Sequence, residues 1–221
     1  MTDEILNASR LVADTGKVVG RWNDTPYYDA VENLSLIQWN EIIKPFFGEI
    51  VPDYESVLEI AVGHGRMSDI LIREAKTFIG VDPLLKNIEF CKVRFADVKS
   101  ARFLQTDGVT LKEIENGSIS FGFCWDSMVH FDSDVIRYYL REMARVLKPG
   151  GLFFTHHSNR DAAPTGNFQI APHARNFMSI PLFQHYAFKE GLEIVKHQAL
   201  SWGQGDKRFE DLDGLALLQT K

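Results

Sequence analysis

Apolar and polar positions follow two spacings along most of the chain. After Asp53, short apolar runs typical of strands recur, and they are separated by segments whose apolar residues lie three to four positions apart, as in amphipathic helices. The predicted strands are 56–62, 77–82, 101–107, 118–126, 152–157, 192–202 and 214–220. The predicted helices between them are 66–75, 84–96, 133–147 and 181–191.

The order of these elements predicts the fold. Alternation of strands and helices favours a parallel sheet, because each parallel crossover needs a dozen or so residues and packs as a right-handed unit. We therefore predict an α/β domain over residues 53–221 with a doubly wound, mostly parallel, seven-stranded, Rossmann-like sheet that ends in an antiparallel pair. Residues 1–52 are polar and aromatic-rich, and helical spacing from Leu34 to Phe47 predicts a helical N-terminal extension.

Turn residues set two boundaries in the second half. The run Lys148-Pro149-Gly150-Gly151 is predicted to end a helix at Leu147, since proline cannot continue it and glycine takes the left-handed turn, so that the next strand begins at Leu152. Beyond Asn159 the pattern lapses for about twenty residues. Loops of that length in compact domains are often functional, so this segment is a candidate lid.

Composition narrows the class of protein. The 221 residues, 45% hydrophobic and 24% charged, are typical of one soluble globular domain. A net charge of −6 disfavours nucleic acid as a partner. Cys91 and Cys124 form neither a disulfide framework nor a zinc motif, which predicts a reducing cytoplasm. No secretory signal or membrane-spanning run is recognised, so no membrane partner is expected.

The first predicted strand end carries candidate ligand-binding chemistry. Ligands of open parallel sheets bind beyond the carboxyl ends of the strands, and here the chain reads Glu59, Ala61, Gly63 and Gly65 at alternate positions. The glycines let the backbone turn sharply and approach a ligand closely. Their spacing excludes the G-x-G-x-x-G dinucleotide fingerprint. An ordinary tight turn is the alternative interpretation of this segment taken alone.

Acidic residues end the next strands. Asp82 lies 17 residues after Gly65 (82 − 65), where a carboxylate can accept two hydrogen bonds from a ribose diol; a helix cap before Pro83 is an alternative compatible with that role. Asp107-Gly108 ends the third strand, where an ordinary turn is the competing interpretation. The fourth strand ends at Trp125-Asp126.

Residues 56–157 together resemble class I S-adenosylmethionine-dependent methyltransferases. The first strand end resembles their motif I, E/D-x-G-x-G-x-G, with Ala61 in place of the first glycine. The resemblance implies S-adenosylmethionine as cofactor, with Asp82 on the ribose, Leu84 near the adenine and Asp107 on its amino group. The cofactor-binding residues it implies are Glu59, Ala61, Gly63, Gly65, Asp82, Leu84, Asp107, Gly108 and Trp125.

Histidines at the rim of the sheet suggest the acceptor chemistry. The N/D-P-P-Y run of methyltransferases that act on planar amino groups is replaced by Asp126-Ser127-Met128-Val129, which disfavours that subclass. A hydroxyl acceptor needs a general base, and histidine titrates nearest to working pH. His130 is the first candidate base and His157 the second. Strand alternation sends His156 and His157 to opposite faces. For each histidine, a buried or capping role is the alternative.

Asp126 has several candidate roles. It could orient the acceptor, act as an alternative base, or help to bind magnesium with Asp132 and Asp134. The simpler interpretation of Asp132 and Asp134 is that they cap the following helix.

Segments 128–136, 146–159 and 172–179 and the terminal stretches 201–203 and 212–218 look similar to bacterial methyltransferases of sugar or polysaccharide O-methylation. This implies methyl transfer to a hydroxyl of a sugar or glycan precursor, with the 1–52 extension contributing to the acceptor site. Flat aromatic faces suit sugars, although they can equally cover a domain edge or a homodimer interface. For the basic residues His173 and Arg175, the alternative is a solvated loop. The candidate acceptor-binding residues are Trp22, Tyr27, Tyr28, His173, Arg175 and Trp202. Two alternatives remain open: methylation of another small metabolite at an amine, carboxylate or phenol, and a non-catalytic protein that binds the cofactor.

Overall fold

A computed structural model of the protein describes residues 5, 7, 10–12, 26–162, 164, 165 and 174–221. Before the sheet lie α1 (Tyr27–Glu32), α2 (Ser35–Gln38), a π-helical turn (Trp39–Ile43) and α3 (Lys44–Phe47). The strands are β1 (Ser56–Ile60), β2 (Thr77–Asp82), β3 (Ala101–Gln105), β4 (Ile119–Met128), β5 (Leu147–Ser158), β6 (Leu192–Trp202) and β7 (Phe209–Thr220). The helices among them are α4 (Ser68–Glu74), α5 (Leu85–Arg94), α6 (Ser133–Val146) and α7 (Ile180–Lys189), and a 3-10 turn (Gly205–Lys207) joins the last two strands.

The seven strands form one sheet in the order β3-β2-β1-β4-β5-β7-β6. The first five in chain order pair in parallel, whereas β7 pairs antiparallel with both β5 and β6 and therefore lies inside the sheet. The winding reverses between β1 and β4, so the carboxyl ends of these strands form the crevice where ligands of such sheets bind. The predicted doubly wound, mostly parallel fold with a terminal antiparallel pair is confirmed.

The core lies on both faces of the sheet. On one face, residues of α6 and α7 such as Leu140 and Phe183 pack against the strands; on the other, Leu71 of α4, Ile88 of α5 and Phe46 of α3 do so. Residues 119–125 of β4 are all buried, as expected for a central strand covered on both faces. No helix in the described part of the chain is long and apolar enough to cross a bilayer.

The predicted starts of two strands are wrong, and one predicted helix is interrupted. The β5 strand begins at Leu147, which pairs with Ile119, and the register then shifts so that Phe121 pairs with Leu152. Lys148–Gly151 is therefore an irregularity within the strand, with Gly150 at a φ of 75°, and not a separator before it. The last strand begins at Phe209 instead of residue 214, and the helix predicted from Leu34 contains a π-helical turn. The division at residue 52 stays a prediction.

Candidate functional site

A cavity opens at the carboxyl ends of β1, β2 and β4. The loop after β1 forms one wall, with Ala61 at a φ of 58°, Gly63 at 54° and Gly65 at 81°. A Cβ on Gly63 would lie 2.9 Å from Cε1 of Tyr28, and a Cβ on Gly65 would lie 2.6 Å from Cε2 of Phe95. The close packing of the Tyr28 and Phe95 rings against this loop thus favours glycine at both positions, independently of any ligand. Ala61 adopts the same left-handed region, which costs a non-glycine residue roughly 1 kcal/mol.

Asp82 faces the cavity from the end of β2. Its Oδ2 accepts from the Gly63 backbone N–H at 3.0 Å and its Oδ1 from the Leu84 N–H at 2.8 Å. The carboxylate therefore ties the loop after β1 to the start of α5. The Asn87 side chain gives the carboxylate a third hydrogen bond, which leaves an acceptor position for a ribose hydroxyl, so the two predicted roles, capping and ribose binding, are compatible. Burial raises the pKa of Asp82 to about 6, although the hydrogen bonds from Leu84, Gly63 and Asn87 oppose this.

Glu59 is a second buried carboxyl in the cavity wall, only 4% exposed on β1. The Ser68 hydroxyl donates to its Oε2 at 2.5 Å. Burial raises the pKa of Glu59 to about 8, and the bond from Ser68 and the charge of Arg66 only partly oppose this. At neutral pH Glu59 is mostly protonated, so a cationic ligand entering the cavity would favour its ionisation.

Helix α1 covers part of the cavity. Tyr27, Tyr28 and Val31 all lie in its wall. The Tyr28 ring stacks on His64 at 3.7 Å between centroids, and His64 stacks on Phe90 of α5 at 3.9 Å. These contacts join the N-terminal helix to the loop after β1 and to α5.

An ion pair reinforces this cover. Arg94 Nη2 of α5 lies 2.6 Å from Glu32 Oε1 of α1, and Arg94 Nη1 donates to the His64 carbonyl at 3.0 Å. The N-terminal helix is therefore held to the loop after β1 and to α5 by both aromatic and charged contacts.

The polar end of the cavity forms where β4 ends. Asp126 has a φ of 55°, and its Oδ2 lies 2.9 Å from Arg66 Nη2. Arg66 Nη1 donates to Gln38 Oε1 at 2.6 Å, and Trp125 Nε1 donates to the same oxygen at 3.0 Å. Gln38 of α2 thereby connects the N-terminal helices to both strand ends. Asp126 and Arg66 neutralise each other at the cavity wall.

His130 lies in the cavity wall and is 7% exposed. Its Nδ1 is 2.6 Å from the Ala174 carbonyl oxygen, and because a carbonyl only accepts, Nδ1 carries the hydrogen. The neutral ring therefore has its lone pair on Nε2. Burial lowers the pKa of His130, which keeps the ring neutral at physiological pH. A backbone carbonyl that fixes one tautomer is a common way to orient a functional imidazole.

The other two rim histidines lie on opposite faces of β5 and outside the cavity wall. His157 is fully buried; its ring stacks on Phe183 at 4.0 Å and its Nε2 lies 2.9 Å from His197 Nε2. Burial and the neighbouring His197 lower the pKa of His157 to about 3. His156 packs against the Trp125 ring at 4.6 Å, beneath the cavity.

Arg175 and Trp202, predicted to bind the acceptor, both donate to Asp213 of β7. Arg175 reaches Asp213 through Nε at 2.9 Å and Nη2 at 2.6 Å, and Trp202 Nε1 donates at 2.6 Å. The structure therefore places neither of them in the cavity wall described above. Trp22 and His173 lie outside the described residues.

Asp107 stabilises the turn that follows β3. Its Oδ1 accepts from the N–H groups of Val109 and Thr110, at 2.9 and 2.6 Å, so the carboxylate stabilises its own turn. Gly108 lies in the cavity wall with a φ of 76°, and Leu84 lies there too. The assignment of these residues to the cofactor stays a prediction.

The structure offers no support for magnesium at Asp126. Among the described residues no group of three or more His, Cys, Asp or Glu side chains is arranged to hold a metal ion. Asp132 instead caps α6 by accepting from the Asp134 N–H at 2.9 Å, which was the simpler interpretation of this pair.

Four contributors escaped the sequence interpretation: Gln38, His64, Arg66 and Asp213. His64 and Arg66 had a sequence signal, because His64 lies between the two glycines of the loop after β1 and Arg66 directly follows them. The others act through contacts between elements distant in sequence, which no spacing rule predicts.

Comparison with known proteins gives a match for the central region. Residues 57–151 match a family model described as a methyltransferase domain. A search of the curated proteins found no relative that matches the chain.

Many solved structures share the fold. A putative methyltransferase from Haloferax volcanii, solved with the methyltransferase activator Trm112, has a TM-score of 0.66 at 15% identity and covers 87% of this chain and 97% of its own. An S-adenosylmethionine-dependent methyltransferase from Methanosarcina mazei has a TM-score of 0.62 at 15% identity, and the match covers 81% of this chain and 96% of that protein. Geranyl diphosphate C-methyltransferase from Streptomyces coelicolor has a TM-score of 0.63 at 16% identity, and the match covers 82% of this chain and 76% of that protein. At such identities the likeness shows the fold.

Proposed function

We propose that this chain, whose residues 57–151 match a family model described as a methyltransferase domain, is a class I S-adenosylmethionine-dependent enzyme that transfers the methyl group to a hydroxyl of a sugar or glycan precursor. The observation that carries the proposal is His130: a buried, neutral imidazole in the cavity wall whose tautomer is fixed by Ala174. An alcohol acceptor needs such a base, because its own proton must leave as the new bond forms.

The cavity fits the cofactor. Asp82 would hold the ribose hydroxyls, the loop from Ala61 to Gly65 would lie against the methionine part, and Gly108 and Leu84 would border the adenine. The mostly protonated Glu59 suits a ligand with positive charge, since it can ionise in response. When bound, S-adenosylmethionine supplies a methyl group activated by its sulfonium.

The residues at the polar end would perform the remaining steps. His130 Nε2 would accept the acceptor's hydroxyl proton, and Asp126, held by Arg66, would orient the acceptor through its remaining lone pairs. Tyr27 and Trp125 would supply aromatic walls against a sugar ring. Covering by α1 would exclude water and so prevent solvent from competing for the same hydrogen-bonding groups.

Charge pairing favours a neutral acceptor. Arg66 is paired with Asp126, and Arg175 is paired with Asp213. An acceptor with a diphosphate group, such as the one named for the Streptomyces coelicolor enzyme, would need cations that are not already neutralised by carboxylates. A hydroxyl acceptor needs only hydrogen-bond partners and a base. Methylation of another small metabolite and cofactor binding without catalysis are the alternatives that the experiment separates.

The test compares His130→Ala with the wild-type protein and with His185→Ala, which removes an exposed histidine of α7. Cofactor binding is measured by calorimetry, and methyl transfer is measured with a panel of sugar, glycan, amine, carboxylate and phenol acceptors, with and without magnesium. We expect His130→Ala to bind S-adenosylmethionine as the wild type does and to lose roughly 10²-fold or more in turnover of a hydroxyl acceptor, the scale of a lost general base. His185→Ala should match the wild type.

Three results would contradict the proposal. Unchanged turnover in His130→Ala removes the base assignment. Transfer only to an amine, carboxylate or phenol supports the small-metabolite alternative. Cofactor binding by the wild type without transfer to any acceptor supports the non-catalytic alternative.

A further inference from the structure

Asp213 of β7 is fully buried and lies beneath the polar end of the cavity. Its two oxygens bind the side chains of three residues from separate elements. Arg175 binds Asp213 in bidentate fashion, with Nε 2.9 Å from Oδ1 and Nη2 2.6 Å from Oδ2. Two further nitrogens lie near Oδ2: His156 Nε2 at 2.9 Å and Trp202 Nε1 at 2.6 Å. A carboxylate this deeply buried persists in a fold only when it is fully paired.

The first connection runs from Asp213 to Asp126 through His156. The Asp126 backbone N–H donates to His156 Nδ1 at 3.2 Å, so Nδ1 is unprotonated and Nε2 of the neutral ring carries the hydrogen. That hydrogen is the one donated to Asp213. Asp213 thereby selects the tautomer of His156 that can hold the Asp126 amide. Asp126 needs such a restraint, because its φ of 55° is unfavourable for a residue with a Cβ.

The second connection runs from Asp213 to His130 through Arg175. Arg175 directly follows Ala174, whose carbonyl binds His130 Nδ1 and whose φ is 54°. The fork of the guanidinium fits the carboxylate in one orientation, so the backbone at Ala174 is fixed relative to β7. Asn176 adds to this by donating its N–H to the Val129 carbonyl at 2.9 Å and its Nδ2 to the His130 carbonyl at 3.3 Å.

We propose that Asp213 is the positioning residue of the site: through His156 it holds the backbone of Asp126, and through Arg175 it holds the Ala174 carbonyl that fixes the tautomer of His130. In this arrangement Arg175 acts on the site from below instead of touching the acceptor. The effect on turnover rests on the proposed function, whereas the effect on the His130 ring does not.

The experiment compares Asp213→Asn with a matched control, Glu142→Gln. Glu142 of α6 also pairs with an arginine, Arg145 at 2.8 Å, but it is not among the residues that line the cavity. Imidazole nitrogen signals of ¹⁵N-histidine-labelled protein report the tautomer, and His130→Ala assigns the His130 signals. Calorimetry gives cofactor affinity, and steady-state kinetics gives kcat and KM.

We expect Asp213→Asn to convert the single Nδ1–H tautomer of His130 into a mixture and to lower kcat by roughly 10- to 100-fold, the scale for partners that orient a functional histidine. The affinity for S-adenosylmethionine should change little, because Asp213 is not among the residues that line the cavity. Glu142→Gln should leave the His130 signals and kcat unchanged even where it lowers the melting temperature.

A second variant keeps the proposal testable where Asp213→Asn fails to fold. Arg175→Met cuts only the connection to His130, so we expect the His130 signals to change and those of His156 to remain. The proposal is overturned when the folded variant shows the wild-type His130 tautomer, or when its kcat equals that of Glu142→Gln. A wild-type protein that transfers no methyl group refutes the proposed function alone, since the imidazole spectra still decide the role of Asp213.

Discussion

Binding of S-adenosylmethionine should release a proton from Glu59. The pKa of this buried carboxyl is raised to about 8, so at pH 7 about nine-tenths of the molecules carry the proton. The cofactor has a net charge of about +1, from its sulfonium, ammonium and carboxylate groups, and a nearby positive charge lowers a carboxyl pKa by one to three units. A fall of two units leaves about one-tenth protonated, so we expect a release of roughly 0.8 proton per cofactor bound.

The assay is calorimetric titration at pH 7 in buffers of different ionisation enthalpy, where the dependence of the observed heat on the buffer gives the number of protons released. S-adenosylhomocysteine lacks the sulfonium charge and should release fewer. Glu59→Gln keeps the shape of the protonated carboxyl and should abolish most of the release. Equal heats in all buffers for the wild type, or the same release from Glu59→Gln, would refute the reasoning about this carboxyl.

The remaining predictions concern stability. The pKa of His157 is lowered to about 3 and that of His197 to about 4, so both rings are neutral in the folded protein. In the unfolded chain they protonate near pH 6.5, so their contribution to the free energy of unfolding is present above pH 6.5 and is lost as the pH falls below it. Urea unfolding should therefore show that, between pH 7.5 and pH 5, the free energy of unfolding falls by about 2 kcal/mol more in the wild type than in His197→Phe. Equal falls in the two proteins would contradict this reasoning. At the turn between β6 and β7, a Cβ on Gly203 would lie 2.2 Å from the Lys207 carbonyl oxygen, so Gly203→Ala should cost roughly 1–3 kcal/mol more than Gly205→Ala, where nothing lies within 4 Å. Equal midpoints for the two variants would count against this account.

Local patterns were sufficient to predict the sheet. The strands of the parallel part are apolar runs because helices cover both faces, and this signal does not depend on knowing the partners. The start of β5 was missed because the residues Lys148–Gly151 have the composition of a turn. The strand nevertheless begins before them, since Leu147 pairs with Ile119 of β4. Tertiary pairing overrode the local signal there.

The candidate site was predictable to the extent that it lies at strand ends. Asp82, Asp126 and His130 line the cavity because the carboxyl ends of parallel strands meet at one edge. The environment of Arg175 was not predictable, since its partner is Asp213, 38 positions later in the sequence. Likewise, only the folded contacts show that Gly63 is required by the Tyr28 ring.

The place of β7 has a consequence for how the protein is made. This strand follows the other six strands of the described sheet, yet it is inserted between β5 and β6. Until the ribosome has released it, β5 presents an unpaired edge, and such edges are sites of aggregation in partly folded chains. His130, His156 and Arg175 emerge before the carboxylate on which they converge. The polar end of the cavity therefore acquires its final form only after synthesis of the last strand, and a nascent chain arrested before it would hold the glycine loop without an ordered place for the acceptor.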